Sequence, residues 1–557
     1  MFIDANTLPA GHRVTADVCI LGAGAAGITL AVELADTGLQ VVMLESGGLG
    51  FDRGLQELST GQVAAEPYHL PLHLGSRRGL GGTTMVWGGR CVPFDPIDFE
   101  RREYVAESGW PIRFDERLPY YQRANVFCEA GAFEYSVEGA LGPAAAPMVP
   151  GFASEIVRTD SLERFSPPTN FGRRYRALLQ RARSLTVIYH ATCTRIGLQP
   201  NGRAVERLTV TVSAGHTFAV AAARVVVAAG GVETARLLLA SNDVMPQGLG
   251  NHSDRLGRFY MCHIEGTFGE LRFGPGARRV ITGYERTTDG VYCRRRFAIR
   301  EASQRQHQIG NLIGRFHRPV IVDPAHRNGI LSAGFLIKRL CLTDYRNALT
   351  AAERLREQQL DGQGAGFLAQ HARNVVWDLP RVLAFSTWWI RKRVLARRKL
   401  PPIITESRAN AYPLNLNAEQ CPDPENRIVL TGQRTRLGLP EIAVRWRMHR
   451  VDVHTIVTSL RLLQREFQRT GCADLWLGDE PLEEQIASCT PIGGHQLGTA
   501  RMASSPSAGV VDERCRVHEI ENLYVCGSAV FPTSSHANPA LTIVALAMRL
   551  ADHLKAW

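Results

Sequence analysis

The 557-residue sequence predicts an α/β protein in two parts: a largely parallel sheet with crossover helices, and an α+β region built on an antiparallel sheet. Three observations carry that prediction. A glycine-punctuated βαβ pattern opens the chain, and a second buried strand runs straight into a Gly-Gly turn near residue 230. From about His263 the texture changes to short alternating runs, as in half-exposed antiparallel strands.

The opening pattern is the most specific. Residues 18–21 are a short apolar run, followed by Gly22, Gly24 and Gly27 in Gly-x-Gly-x-x-Gly spacing. Helical spacing then covers 28–37, Gly38 is a stop, and the apolar run 41–44 ends in Glu45. Strand, helix and acid in register make this a Rossmann-like dinucleotide fingerprint. Gly22 allows the tight turn, Gly24 lets a pyrophosphate approach, Gly27 permits close helix–strand packing, and Glu45 can accept from a ribose hydroxyl. The motif leaves the choice of dinucleotide open.

Residues 75–90 hold six glycines in sixteen positions, with Met85, Val86 and Trp87 as apolar anchors. Backbone amides in such a loop can form an anion nest, and the anchors distinguish it from a linker. The prediction is a loop that covers a cofactor. Further on, 115–127 and 171–183 read as helices, 132–161 as a surface excursion, and 185–196 as a strand. The buried strand 223–231 leads into a helix over 233–241. Alternating runs 291–299, 309–316 and 442–446 read as strands of one antiparallel sheet.

In 410–420, Leu414, Leu416 and Ala418 share one face, and Asn415, Asn417 and Glu419 the other. Asn417, Glu419 and the adjoining Gln420 are the candidate substrate contacts. Stretch 367–400 mixes Trp377, Phe385, Trp388 and Trp389 with a basic cluster over 391–399. It reads as a helix packed on its own domain with a solvated basic end; a membrane-surface amphipathic helix is the alternative.

Composition narrows the function classes. An apolar fraction of 45% and a charged fraction of 21% are ordinary for a globular protein. The net charge of +11 is diffuse and reads as a solvated basic face, not a nucleic-acid site. Twelve cysteines without a CxxC argue against a metal site and a disulfide framework, and suit a reducing interior. No h-region precedes the first strand and no run of 18 apolar residues occurs, so the expected location is cytoplasmic. Gly274-Pro275-Gly276 lacks a preceding strand and suits a turn, which argues against a second nucleotide site.

Three C-terminal features complete the pattern. His495 lies in the glycine-rich run 493–502, a short strand ends at Gly527 and Ser528, and 534–539 leads into an apolar helix. Asn538 suits the cap of that helix and Pro539 its first position. The chain resembles the glucose–methanol–choline (GMC) oxidoreductase family over nearly its whole length. The resemblance rests on GAGAAG with Glu45, GGTTMVWGG at 81–89, VVVAAGGVETARLLLAS at 225–241, EQCPDPENRIVL at 419–430, GHQLGTARM at 494–502, and ENLYVCGSAVFP through ANPALT at 521–542.

That resemblance implies FAD-dependent oxidation of an alcohol, with hydride passing from the substrate carbon to flavin N5. His495 would take the O–H proton and Asn538 would orient the substrate oxygen. The implied FAD-binding set begins with Gly22, Gly24, Ala26, Gly27 and Glu45. It continues through Gly81, Gly82, Thr83, Thr84, Val86 and Trp87, then Cys193 and Gly230, and ends with Gly527, Ser528, Asn538 and Pro539. Val86 stands where members with a tethered flavin carry histidine, so FAD is expected to be non-covalent; Ser528 stands where Asp is frequent. His536 reads as structural.

The family implies FAD-binding segments 1–105, 185–262 and 481–557 around substrate-domain segments 106–184 and 263–480. The polar candidate strand points to a sugar, glycoside or cyclitol as the small-molecule alcohol. The alternatives are a flavin-containing lyase and a non-catalytic membrane-surface flavoprotein. The electron acceptor, whether dioxygen, a quinone or a carrier protein, is not legible in the sequence.

Overall fold

A computed structural model describes residues 1–64, 69–274, 280–341, 357, 360, 365–401, 407, 410–487, 490–491 and 494–556. The Pro275-Gly276 turn and Gly493 lie outside the described residues.

The apolar runs near the N-terminus become strands because burial on both faces removes any need for alternation. Strands Phe2–Asp4, Leu185–Tyr189, Val41–Glu45, Arg13–Leu21 and Thr217–Val227 lie side by side and parallel. Leu523–Val525 adds to the end of Thr217–Val227, with Val225 opposite Leu523. Val205–Val212 and Ala191–Leu198 continue the sheet as an antiparallel meander. The single strand expected over 185–196 is therefore two. His190, at φ 57°, breaks it and donates its N–H to Gly47 O at 3.0 Å.

The second sheet has seven strands and is antiparallel. Its order is Asp474–Trp476, Ile264–Arg272, Ala411–Ala418, Leu312–Phe316, Phe297–Ile299 and Val157–Arg158, with Thr490–Pro491 pairing beside Ile264. Helix Arg450–Thr470 lies across it. Ile456, Leu460, Leu463 and Phe467 repeat on one helical face and share a core with Leu414, Leu416 and Phe316. A capping box of His449 and Asp452 starts this helix, and Gly471 at φ 64° stops it.

Three expectations are corrected. The run 291–299 serves two sheets: Tyr292–Arg295 pairs with Leu162–Phe165, whereas Phe297–Ile299 joins the seven-stranded sheet. The strand at 442–446 does not join the large antiparallel sheet. Pro440–Arg445 pairs instead with Arg427–Arg434 and Gln62–Val63, and Ile428, Ile442 and Val444 pack on Val232 and Ala235 of helix Gly231–Ala240. Alternation marks a strand with one buried face but cannot say which body buries it.

The third correction concerns 367–400. Helices Ala365–Trp377 and Leu379–Trp389, continued by the π-helical turn Ile390–Leu395, bury one stripe: Phe367, His371, Asn374, Asp378 and Val382. Trp377 and Leu395 are each 73% exposed and Leu383 is 60% exposed, so these helices pack on their own domain through that stripe alone and leave an apolar outer face open.

Candidate active site

Between the two sheets lies a cavity of about 580 Å³. Its parallel-sheet wall is backbone. Helix Ala25–Leu34 starts here, and Gly22, Gly24 and Ala26 line the cavity. A Cβ on Gly24 would meet no atom within 4 Å and would project into the cavity. A Cβ on Gly27 would lie 1.8 Å from Gly22 O, so Gly27 supports the turn from behind and does not line the cavity.

Glu45 does more than the fingerprint suggests. Its carboxylate accepts N–H bonds from Ala23 (2.8 Å), Gly47 (2.7 Å) and Gly79 (2.9 Å). One acid thus gathers the first turn, its own following loop and the glycine-rich loop. Three of its roughly four acceptor positions are used, leaving one for a hydroxyl at the cavity wall.

The glycine-rich loop folds over the first turn. Gly81 donates its N–H to Ala23 O at 2.9 Å and does not line the cavity, whereas Gly82, Thr83, Thr84, Val86 and Trp87 do. Thr84 Oγ1 donates to Gly81 O and accepts from Phe171 N–H, and Trp87 Nε1 donates to Thr169 O. Arg77 and Arg78 also line the cavity. Sequence alone assigns neither a role; their signal is two adjacent cations inside the glycine loop 75–90. Cys193, Gly230, Gly527, Ser528 and Pro539 complete the wall.

The opposite wall is built from side chains. Met261 and Leu497 form an antiparallel bridge, each donating its N–H to the other's carbonyl at 3.1 and 3.0 Å. Two residues on in that register, His263 faces His495, and their Nδ1 atoms are 2.7 Å apart. His263 Nε2 donates to Ser534 O at 3.0 Å. Burial holds the His263 pKa down to about 4, so its ring is neutral and its Nδ1 is an acceptor.

His495 must then donate from Nδ1. Its Nε2 keeps a lone pair and accepts from Asn538 Nδ2 at 3.1 Å. The pKa of His495 lies well below the ordinary histidine value, chiefly through burial, then through His263, Arg90 and Arg315. The arrangement delivers a neutral imidazole with its basic nitrogen on the cavity wall.

Asn538 Oδ1 accepts from Arg90 Nη1 at 3.3 Å, which completes the amide's orientation. Pro539 already has helical dihedrals at the start of helix Ala540–Lys555, and Asn538 spends its side chain on His495 and not on capping. Ser528 donates to Gln496 O at 2.6 Å, tying the His495 loop to the Gly527 turn. Glu163 is ion-paired to Arg90 (3.5 Å), Arg294 (2.8 Å) and Arg315 (3.2 Å), and these three cations, Arg90 foremost, hold its carboxyl far below the usual range. Arg90 and Glu265 line the cavity; Arg315 bridges Glu163 and Glu265.

The structure does not bring Asn417, Glu419 and Gln420 to the cavity. Glu419 is locked to Arg102 by two bonds of 2.8 and 2.5 Å, both side chains fully buried. Gln420 Oε1 accepts from Cys262 N–H and Trp446 Nε1, and its amide donates to Arg447 O. Asn417 donates to His536 O at 2.6 Å. Their strand runs through the middle of the antiparallel sheet, so its polar face meets buried partners. His536 is likewise internal, 3.0 Å from Asp95 Oδ2. His263 is the partner of His495 that the sequence analysis does not name, since nothing local marks a histidine brought to another by a distant bridge.

The cavity fits a flavin dinucleotide. A helix N-terminus and an open Gly24 suit a diphosphate, and Glu45 with Thr192 and Cys193 forms one end. His495 and Asn538 form the other. Comparison with known proteins agrees. Residues 17–300 match the FAD dependent oxidoreductase family model, and residues 422–547 match the GMC oxidoreductase model.

The chain belongs to the FAD-dependent GMC oxidoreductases.

This GMC oxidoreductase is 24% identical to the fructose dehydrogenase large subunit of Gluconobacter japonicus, over 97% of this chain and 98% of that protein. It is also 24% identical to paromamine 6'-oxidase of Streptomyces fradiae, over 96% and 90%. Among solved structures, formate oxidase superposes with a TM-score of 0.54 at 15% identity over 99% of both chains, a likeness of fold. As a GMC oxidoreductase the chain takes FAD as cofactor and acts on CH–OH groups.

Proposed function

We propose that this enzyme oxidises a hydroxyl of a sugar, glycoside or cyclitol to a carbonyl, with His495 as proton acceptor. When bound, FAD supplies the two-electron acceptor for the carbon-bound hydride. His495 Nε2 takes the O–H proton as the substrate hydroxyl replaces the Asn538 N–H on its lone pair, while its Nδ1–H stays engaged by His263. Asn538, 3.1 Å from that nitrogen and held by Arg90, hydrogen-bonds the substrate oxygen and fixes its orientation. His263 is a positioning residue: it sets the tautomer of His495 without touching substrate.

Support for a polyhydroxylated substrate comes from Arg90 and Glu265 on the cavity wall, two groups that donate to and accept from hydroxyls. The names fructose dehydrogenase and paromamine 6'-oxidase point the same way. Val86, 56% exposed at the cavity where tethered members carry histidine, supports non-covalent FAD. The FAD-binding segments proposed are 1–105, 185–262 and 481–557, around substrate-domain segments 106–184 and 263–480. The eleven described cysteines are all unpaired, which supports a reducing, cytoplasmic setting. The lyase and non-catalytic readings draw no support from a named dehydrogenase and a named oxidase.

The single observation that carries this reading is the neutral imidazole whose basic Nε2 sits on the cavity wall, held only by the Asn538 amide. An anaerobic panel of polyols, glycosides and apolar alcohols, read by bleaching of the flavin absorbance, tests it. His495→Ala should keep the yellow cofactor and bleach at least ~100-fold more slowly. Near-normal bleaching in that variant, or bleaching by apolar alcohols alone, defeats the proposal.

A further inference from the structure

Nineteen large apolar side chains are exposed on the described surface, and eleven of them fall between Ile337 and Leu395. That concentration is not a consequence of missing core. The same helices have their own interior, where Leu331 and Phe335 of helix Gly329–Cys341 meet Phe367, Ile321 and Val322. The exposed set is the other side. Leu379, Leu383, Ile390 and Val394 recur at the spacing of one helical face, and all are 45–60% exposed. Trp377 and Leu395 flank them at 73% each.

The charge pattern on these helices is one-sided. Residues 365–400 contain eight Lys or Arg and one acid, Asp378. That acid is buried, accepts from Gly329 N–H at 3.1 Å and lies 4.0 Å from Arg381, so it offsets one cation at most and none of the basic cluster 391–399. Arg391, Lys392, Arg397 and Lys399 are exposed, directly after the apolar stripe. No helix among the described residues is long and apolar enough to cross a membrane. An apolar, tryptophan-bearing face with a cationic end is the composition of a helix that lies in a lipid interface.

We propose that helices Leu379–Trp389 and Ile390–Leu395 dock this flavoenzyme on an anionic lipid surface, with the apolar stripe in the acyl boundary and the basic end against headgroups. A second copy of the chain is the poorer occupant: self-association through this face would set two like-charged clusters together. The segment is anchored for such a role. Arg398 donates to Phe165 O and Glu129 O, both at 3.0 Å, and Leu400 packs on Phe165, which lines the cofactor cavity.

Co-sedimentation of the holoenzyme with phosphatidylcholine vesicles, with and without phosphatidylglycerol, tests the proposal. Binding is expected with the anionic vesicles, should weaken as salt rises, and should move tryptophan emission to the blue. Arg391→Gln/Lys392→Gln/Arg397→Gln should weaken partitioning about 100-fold, at the usual contribution per cation near a charged surface. Trp377→Ser/Leu383→Ser/Leu395→Ser should abolish the blue shift. All six positions are outside the active site, so both variants should keep flavin absorbance and turnover. The proposal is overturned if anionic vesicles fail to bind the holoenzyme at low salt, or if both variants bind as well as the parent. It is also overturned if the apolar face instead drives a dimer that vesicles do not dissociate.

Discussion

The two walls of the cavity are built on different principles. The parallel-sheet wall works with main chain: glycines without Cβ, a helix start, and one acid collecting three amides. The opposite wall works with buried side chains: a histidine pair, an amide and a cluster of arginines around Glu163. Main chain positions a cofactor through shape that nearby residues encode. Side-chain chemistry needs groups drawn from 90, 263, 495 and 538, and it depends on how distant elements meet.

The sharpest way to break the first wall is Gly27→Val. With a Cβ position 1.8 Å from Gly22 O, the turn cannot keep its shape, and the purified protein should carry no FAD absorbance. Full flavin content in that variant would mean that the turn is not what holds the cofactor.

Behind the second wall, away from the cavity, the largest expected effect is on stability. Arg102→Met strands Glu419 as a buried charge, at a cost of about 3–5 kcal/mol in denaturant unfolding. Arg102→Met/Glu419→Met should recover most of that loss, because the pair is removed whole. A double variant no better than the single would show that the arginine acts through something other than Glu419.

Next in size is His263→Leu. Without an acceptor for the Nδ1–H of His495, flavin reduction should slow on the order of 10- to 100-fold. His263→Gln, whose amide oxygen can accept that proton, should restore part of the rate. A purely structural role would slow neither variant's reduction beyond its loss of folded protein.

The smallest effect is in pH dependence. His263 and His495 both bind a proton less readily folded than unfolded. As pH falls below the ordinary histidine value of about 6.5 the unfolded chain takes up protons first, so stability drops toward pH 4, by at most about 1.4 kcal/mol per pH unit for each ring. Stability is fully present above 6.5. For the same reason the acid limb of kcat/KM should lie below 6.5. A limb above that value would indicate a histidine that is not held neutral.

The same contrast explains what was legible in the sequence. Strands Arg13–Leu21 and Val41–Glu45, the helix between them and the Gly-Gly turn before Gly231–Ala240 were readable because their signals are contiguous. His495 and Asn538 were assigned through family motifs, and the structure brings them within 3.1 Å. Asn417, Glu419 and Gln420 misled because alternation identifies a polar face without saying what it meets; Arg102, 317 residues away from Glu419, decides that. His263 was invisible for the matching reason. Its partner lies 232 residues away and the signal is a backbone bridge, which leaves no residue pattern.

That bridge has a mechanical consequence. Side chains on paired extended segments change sides with each step of register. A slip of one residue between Met261 and Leu497 would turn the two imidazoles to opposite sides of the crossing. The two main-chain bonds therefore act as an alignment pin, through which the seating of one sheet on the other decides whether a competent base exists.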